Sequence, residues 1–145
     1  MKIKFTILGE PSGKGRPRFS IIAGHVSTRT PKETVLYENL VRTEYRRQIG
    51  DFKFEDGQAL DMRVMAYYGI PASAPKKKKQ NMIDGLVRPV KKPDADNIIK
   101  VIADSLNNIA YKDDAQLVDT LVRKFYSTQP RVEIFIQSAA LNEGR

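Results

Sequence analysis

Hydrophobic and polar residues alternate along short segments of the chain, which predicts strands with one buried face. This period of two is clearest at Lys2–Leu8, and it recurs at residues 60–68 and 131–137. A fourth strand is predicted at residues 116–125, where β-branched and apolar residues are frequent. We expect the last two strands to form a hairpin through the turn at residues 127–130.

Apolar residues three and four positions apart predict two amphipathic helices. The first is expected to begin at Thr30-Pro31, where Thr30 can cap, Pro31 suits the first turn and Glu33 can complete a capping box. It should end before Gly50. The second is expected at about Ala95–Asn108, after a shorter helix around residues 76–85. The predicted buried face of the first helix consists of Tyr37, Leu40, Val41 and Tyr45.

The resulting order, β-α-β-(α)-α-β-β, predicts an α+β fold in which helices pack on a mixed sheet. No repeat or boundary divides the chain, so residues 1–145 are expected to form a single domain. Residues 9–29 contain four glycines and two prolines, which predicts a long loop that can include a hairpin. Within it, Phe19 is expected to pack in the core, with stacking on an exposed base as the alternative.

The net charge of +8 is concentrated in two segments. Residues 1–30 and residues 71–100 each carry a net charge of +5, and both are rich in glycine and proline. Clustered cations on loops are typical of proteins that bind a phosphate backbone. A generally basic surface without a specific partner is the alternative interpretation.

The composition excludes several kinds of site. The chain has no cysteine and one histidine, His25, which excludes thiolate zinc sites, multi-histidine metal centres and a Ser-His-Asp triad within one chain. Any metal must therefore be held by oxygen ligands, which favours magnesium or manganese. No apolar run approaches the ~20 residues of a membrane span, so a cytoplasmic protein without a membrane partner is expected.

The acidic residues most suited to chemistry surround the second long helix. Asp94 and Asp96 stand at its entrance, where residues two apart in extended chain point to one side. Lys100 follows Asp96 by four residues and shares its helical face. Asp113 and Asp114 precede the next strand and could fold back toward Asp94 and Asp96. Carboxylates meeting beside a lysine would suit magnesium-assisted phosphodiester chemistry.

Each of these residues also has a purely structural interpretation. Asp94 or Asp96 could cap the helix, Asp113 and Asp114 could be ordinary turn residues, and Lys100 could pair with a neighbouring carboxylate on the same helix. The sequence leaves these alternatives open, although the occurrence of all these acids with Lys100 in a basic chain favours a metal site.

Three segments resemble the signature of the RusA family of Holliday-junction resolvases. They are Asp94-Ala95-Asp96-Asn97-Ile98-Ile99-Lys100, Asp104-Ser105-Leu106-Asn107 and Asp113-Asp114-Ala115-Gln116-Leu117-Val118. The N-terminal loop Gly9-Glu10-Pro11 with Lys14–Phe19, and the closing Pro130–Ile134, are also similar to family members. Ala95 departs from the larger aliphatic residue that is frequent in the family, which concerns packing rather than the ligands.

The resemblance implies a homodimeric, magnesium-dependent endonuclease, with manganese as a substitute, that nicks four-way DNA junctions symmetrically in recombination and repair. By position, Asp94, Asp96 and Asp114 would be the essential metal-binding acids, Asp113 a weaker ligand candidate, and Lys100 the essential lysine. A bacterial or phage origin follows from the resemblance alone. A nuclease with broader specificity for branched or flap DNA, and a non-catalytic nucleic-acid-binding module, remain alternatives.

The basic residues of the two cationic segments are the candidate DNA contacts, with a solvated charge run as the alternative for the lysine tract. They are Lys14, Arg16, Arg18, Lys76, Lys77, Lys78, Lys79, Lys91 and Lys92.

Overall fold

The computed structural model describes residues 1–141, except for the side chain of Arg18. This part of the chain has an α+β fold, with a four-stranded mixed sheet, three α-helices and a separate two-stranded sheet. The elements are β1 (Lys2–Leu8), β2 (Arg18–Ile22), β3 (His25–Arg29), α1 (Lys32–Gln48), β4 (Leu60–Gly69), α2 (Lys76–Ile83), α3 (Ala95–Ser105), a 3₁₀ turn (Asp114–Gln116), β5 (Leu117–Ser127) and β6 (Arg131–Ser138).

The core lies between the four-stranded sheet and the helices α1 and α3. Alternate residues of β1, β4 and β6 point into it, which confirms the period of two in these segments. Helix α3 contributes Ile98 and Ile102, and its C-terminal cap residue contributes Leu106, all fully buried, as the apolar spacing predicts. Each such side chain stabilises the fold by roughly 1.5–3 kcal/mol. Because α1 packs on β1 and on α3, and α3 packs on β5, α1 and α3 form one layer on the sheet, while α2 packs on β5.

The predicted hairpin of the last two strands is wrong. The strand order is β1-β6-β4-β5, so β4 lies between β5 and β6, parallel to one and antiparallel to the other. The short link between β5 and β6 therefore crosses the end of β4 at Gly69. A Cβ atom at Gly69 would displace the Glu10 carboxylate, which accepts a hydrogen bond from the Gly69 amide at 2.9 Å, and would lie 3.3 Å from Pro130, so glycine suits this crossing.

Helix α1 has the expected length but begins differently. Pro31 occupies the cap position without any side-chain cap bond, so neither the Thr30 cap nor the capping box with Glu33 forms. Leu40 is 38% exposed instead of buried, and Thr34 takes the fourth place on the buried face. The Thr34 hydroxyl accepts a hydrogen bond from the Gly15 amide at 3.0 Å, because the N-terminal loop passes over the start of the helix.

Candidate active site

Asp94 and Asp96 lie at the N-terminal end of α3 with exposed side chains. Asp94 is the cap residue, and its carbonyl accepts the first helical hydrogen bond, from the Ile98 amide at 3.0 Å. Its carboxylate makes no capping bond, and Asp96 follows in the first turn. Both side chains are therefore exposed to solvent, and the Asp94 carboxylate does not cap the start of the helix.

A groove of about 380 Å³ runs beside this end of α3, between the N-terminal loop and the segment that leads into the helix. The Lys14 amide donates to the Asn97 carbonyl at 3.0 Å, and the Tyr68 hydroxyl donates to the Pro93 carbonyl at 2.6 Å. Burial, followed by the charge of Asp94, raises the pKa of Tyr68 to about 12, so this hydroxyl stays protonated. The groove is lined by Pro11, Ser12, Gly13 and Lys14 on one side and by Lys92, Pro93, Asp94 and Asn97 on the other.

The other two candidate acids lie in the 3₁₀ turn before β5, and their side chains have different surroundings. The Asp113 carboxylate accepts a hydrogen bond from the Ala115 amide at 3.0 Å, which lowers the pKa of Asp113. Asp113 thus has a structural function as the cap of this turn. The Asp114 amide donates to the Asn107 side-chain oxygen at 2.8 Å, which holds Asp114 beside the C-terminal end of α3.

Asp114 forms a carboxylate pair with Asp104, the last acidic residue of α3. Burial, hydrogen bonds with Asp104 and Asp113, and the negative charges of both raise the pKa of Asp114 to about 6. Lys14 partly neutralises this cluster, since its ammonium lies 3.4 Å from Asp104 and 3.1 Å from Glu38 of α1. Lys14 was expected to bind phosphate, but here its charge is engaged by two carboxylates.

The two pairs of carboxylates, Asp94 with Asp96 and Asp104 with Asp114, lie at opposite ends of α3. Asp96, Lys100 and Asp104 are spaced by four residues, and eight residues of helix rise by about 12 Å. Lys100, exposed, lies midway. Among residues 1–141, no three acidic or histidine side chains are close enough to hold one metal ion. A single chain therefore does not gather Asp94, Asp96 and Asp114 around one cation.

The side chains present nevertheless fit magnesium. All the donors are carboxylate oxygens, the ligands that this ion prefers. Magnesium usually keeps several waters and binds one or two carboxylates together with substrate phosphate, so the exposed carboxylates of Asp94 and Asp96 are suitable donors. Burial first, and then the neighbouring carboxyl groups of Asp104 and Asp113, raise the pKa of Asp114, and a divalent cation would relieve the repulsion among these acids.

The remaining candidate DNA contacts fall into two groups. Lys91 and Lys92 are exposed just before Asp94, and Lys92 lines the groove. Lys76 to Lys79 form the first turn of α2, where Lys76, Lys77 and Lys78 are exposed and Lys79 is half-buried. Arg16 is exposed in the N-terminal loop, whereas the side chain of Arg18 lies outside the described residues.

The sequence interpretation did not assign a site function to Glu38, Asp104 or Asn107. Asp104 had a recognisable signal, since it continues the four-residue spacing from Asp96 through Lys100. Asn107 stands in the same motif, but its bond to the Asp114 amide depends on the turn that follows α3. Glu38 had no local signal, because its position depends on how α1 packs against α3.

Comparison with known proteins finds a matching family and a similar bacterial protein. The family model described as endodeoxyribonuclease RusA matches residues 9–137. The chain is 40% identical over 138 residues to "Uncharacterized protein YqaN" of Bacillus subtilis (strain 168), covering 95% of this chain and 97% of that protein. Within residues 1–141, none of the helices has the length and apolar character required to cross a membrane.

Proposed function

We propose, because this chain belongs to the RusA endodeoxyribonuclease family, that it is a magnesium-dependent nuclease that resolves four-way DNA junctions by paired symmetric nicks. Manganese is expected to substitute for magnesium, and the process served would be DNA recombination and repair. The observation that supports this proposal most directly is the exposed pair Asp94 and Asp96 beside a groove bordered by Lys92.

In this proposal, Asp94, Asp96 and Asp114 are the metal-binding residues. A bound magnesium ion would supply an activated water and neutralise charge on the phosphate. Lys100 lies on α3 between the two pairs of carboxylates, where its ammonium can neutralise charge that develops on a phosphate oxygen. Asp104 shares charge with Asp114 and lies against Lys14, and therefore positions Asp114.

The proposed active form is a homodimer. Asp96 lies about 12 Å along α3 from Asp104, the neighbour of Asp114, and among residues 1–141 no three acidic side chains are close enough to hold one metal ion. We therefore propose that the Asp114 beside the pair Asp94 and Asp96 comes from another chain. A second copy related by two-fold symmetry could present its own Asp114 to this pair. The same symmetry would place two sites against two strands of like polarity, as symmetric nicking requires.

The proposed phosphate contacts are the cations around this site. Lys92 lines the groove and Lys91 precedes it, while Arg16 and Arg18 follow the residues of the N-terminal loop that form the opposite wall. Lys76, Lys77, Lys78 and Lys79 would contact a DNA arm farther out. If six or more phosphates are neutralised, affinity should fall by about 10³-fold or more between 50 and 200 mM salt.

The test is cleavage of three synthetic DNAs: a four-way junction, a matched duplex and a flap, each with magnesium, with manganese or with a chelator. The expected result is metal-dependent cleavage of the junction by two symmetric nicks, with little cleavage of the duplex. Equal rates on all three DNAs would favour the broader branched-DNA nuclease. Absence of cleavage with either metal, despite DNA binding, would favour the non-catalytic module.

A further inference from the structure

The hairpin formed by β2 and β3 stands apart from the rest of the fold. Among residues 1–141 its two strands pair only with each other, and every described side chain from Phe19 to Arg29 is exposed. Phe19, Ile21, Ile22 and Val26 are between 66% and 77% exposed. The expectation that Phe19 packs in the core is therefore wrong. A lone hairpin is only marginally stable in water, so contact with a partner is expected to stabilise this one.

The register of the hairpin gathers its apolar side chains on one face. Ile21 lies opposite Val26, and Phe19 lies opposite Thr28. Directly opposed residues of an antiparallel pair share a face, so Phe19, Ile21 and Val26 form a continuous apolar strip. An exposed apolar strip of this kind marks a binding surface more often than a simple solvated surface.

The hairpin emerges from the candidate active site. Immediately before β2, the Lys14 amide is bonded to Asn97 of α3 and the Gly15 amide to Thr34 of α1. Gly13 lies so close to Pro93 that a Cβ atom there would be 2.9 Å from it. Four residues from Lys14 to Arg18 span at most about 14 Å, so the hairpin begins within one short stretch of chain from the groove beside Asp94.

The charge of the segment favours DNA as its partner. Between Glu10 and Glu33 the chain contains no acidic residue, whereas Lys14, Arg16, Arg18, Arg29 and Lys32 are basic. A second copy of this hairpin would bring the same positive charge and repel it, while a polyanion would attract it. Apolar side chains carried on a cationic hairpin suit the faces and steps of bases, which are accessible where a duplex is opened.

We infer that the apolar strip Phe19, Ile21 and Val26 inserts against unstacked bases at the branch point of the DNA. The residues on α3 would then act on the phosphodiester backbone beside that point. This inference rests on the proposed function and gives a reason for selectivity toward branched DNA. In a closed duplex the bases are stacked, so the strip cannot insert against them.

The test uses four-way junctions that carry the fluorescent base 2-aminopurine next to the branch point, and Asp96→Asn protein so that strands remain uncut. Binding should raise the fluorescence, since the base loses its stacking. The triple variant Phe19→Ser, Ile21→Ser, Val26→Ser on the same background should lose this rise. It should also bind the junction about tenfold more weakly, with duplex affinity within about twofold of the parent. Phe19→Tyr, which keeps an aromatic ring, should retain the signal.

The matched control is Leu141→Ser, another exposed apolar residue (85% exposed), which should leave both readouts unchanged. An equal loss of junction and duplex affinity in the triple variant, or an unchanged fluorescence rise, would overturn the inference. A shift of the triple variant to monomer in sedimentation would also overturn it, in favour of contact with a second copy. Because the readouts are binding and fluorescence, their outcome is separate from whether the wild-type protein cuts junctions.

Discussion

At the N-terminal end of α3, the carboxylates of Asp94 and Asp96 are exposed beside an open groove, without a capping bond from Asp94. At the other end, Asp114 is fixed by Asn107, shares hydrogen bonds with Asp104, and has a pKa raised to about 6. Both ends belong to one helix, so the contrast comes from the neighbouring elements. Exposed carboxylates have little effect on the free energy of unfolding, whereas a partly buried pair of like charges lowers it.

This contrast predicts that activity and stability can be separated along α3. Substitution at the exposed end should change cleavage without changing the free energy of unfolding. Substitution at the enclosed end should change both, because the same side chains form the turn that leads into β5.

The largest effect is expected for Asp96→Asn. Removal of one metal-binding carboxylate should lower the rate of junction cleavage by about 10³-fold, measured under single-turnover conditions with excess enzyme. The melting temperature should stay within about 1 °C of the wild type, because the side chain is exposed.

Asp51→Asn provides the matched control, since Asp51 is an exposed acid elsewhere on the surface. It should cleave at the wild-type rate. If Asp96→Asn kept more than a tenth of the activity, Asp96 would not be a metal-binding residue in the proposed site.

The next effect is expected for Asn107→Ala, which removes the acceptor for the Asp114 amide. The half-buried amide would lose its partner, which should lower the free energy of unfolding by about 1–3 kcal/mol in urea denaturation. Cleavage should also fall, because Asp114 would no longer be held in place. Gln129→Ala, in an exposed turn, serves as the control. Equal stability of the two variants would contradict a stabilising role for the hydrogen bond between Asn107 and the Asp114 amide.

The contrast between the two ends also explains how much of the site the sequence could predict. The pair Asp94 and Asp96 is encoded locally, by a proline followed by a helix start, so sequence spacing was sufficient to predict that both lie at the start of α3. The cluster around Asp104 and Asp114 includes Lys14 and Glu38, which are brought together only when the N-terminal loop and α1 pack on α3. Contacts of this kind depend on tertiary packing and leave no periodic signal.

The same distinction applies to the fold. Alternation predicted β1 and β4 because it reports which face of a strand is buried. It does not report which strand lies alongside, and the short link between β5 and β6 suggested a hairpin where β4 is inserted instead. Phe19 illustrates a related limit, since an aromatic residue beside a strand pattern does not reveal that its strand lacks a core to pack on.

A smaller effect is expected in the pH dependence of stability. The pKa of Asp114 is raised to about 6 in the folded state from an ordinary value of 3.8, so the folded chain binds this proton more tightly than the unfolded chain. Binding of this proton therefore adds fully to the free energy of unfolding below pH 4, and this contribution is lost as the pH rises through 6. With solvent screening, the loss should be about 1 kcal/mol. Asp114→Asn should remove this slope in metal-free urea titrations, whereas Asp51→Asn should retain it.

The smallest expected effect is the pH dependence of stabilisation by magnesium. At pH 5 the carboxyl group of Asp114 is largely protonated, so magnesium must displace a proton, whereas at pH 7.5 it meets a carboxylate. Magnesium should therefore raise the melting temperature by about 2 °C more at pH 7.5 than at pH 5, and Asp114→Asn should abolish the difference. Potassium chloride at equal ionic strength controls for general screening. Equal shifts at both pH values would mean that the ion binds away from Asp114, and the two ends of α3 would then differ in stability but not in their affinity for metal.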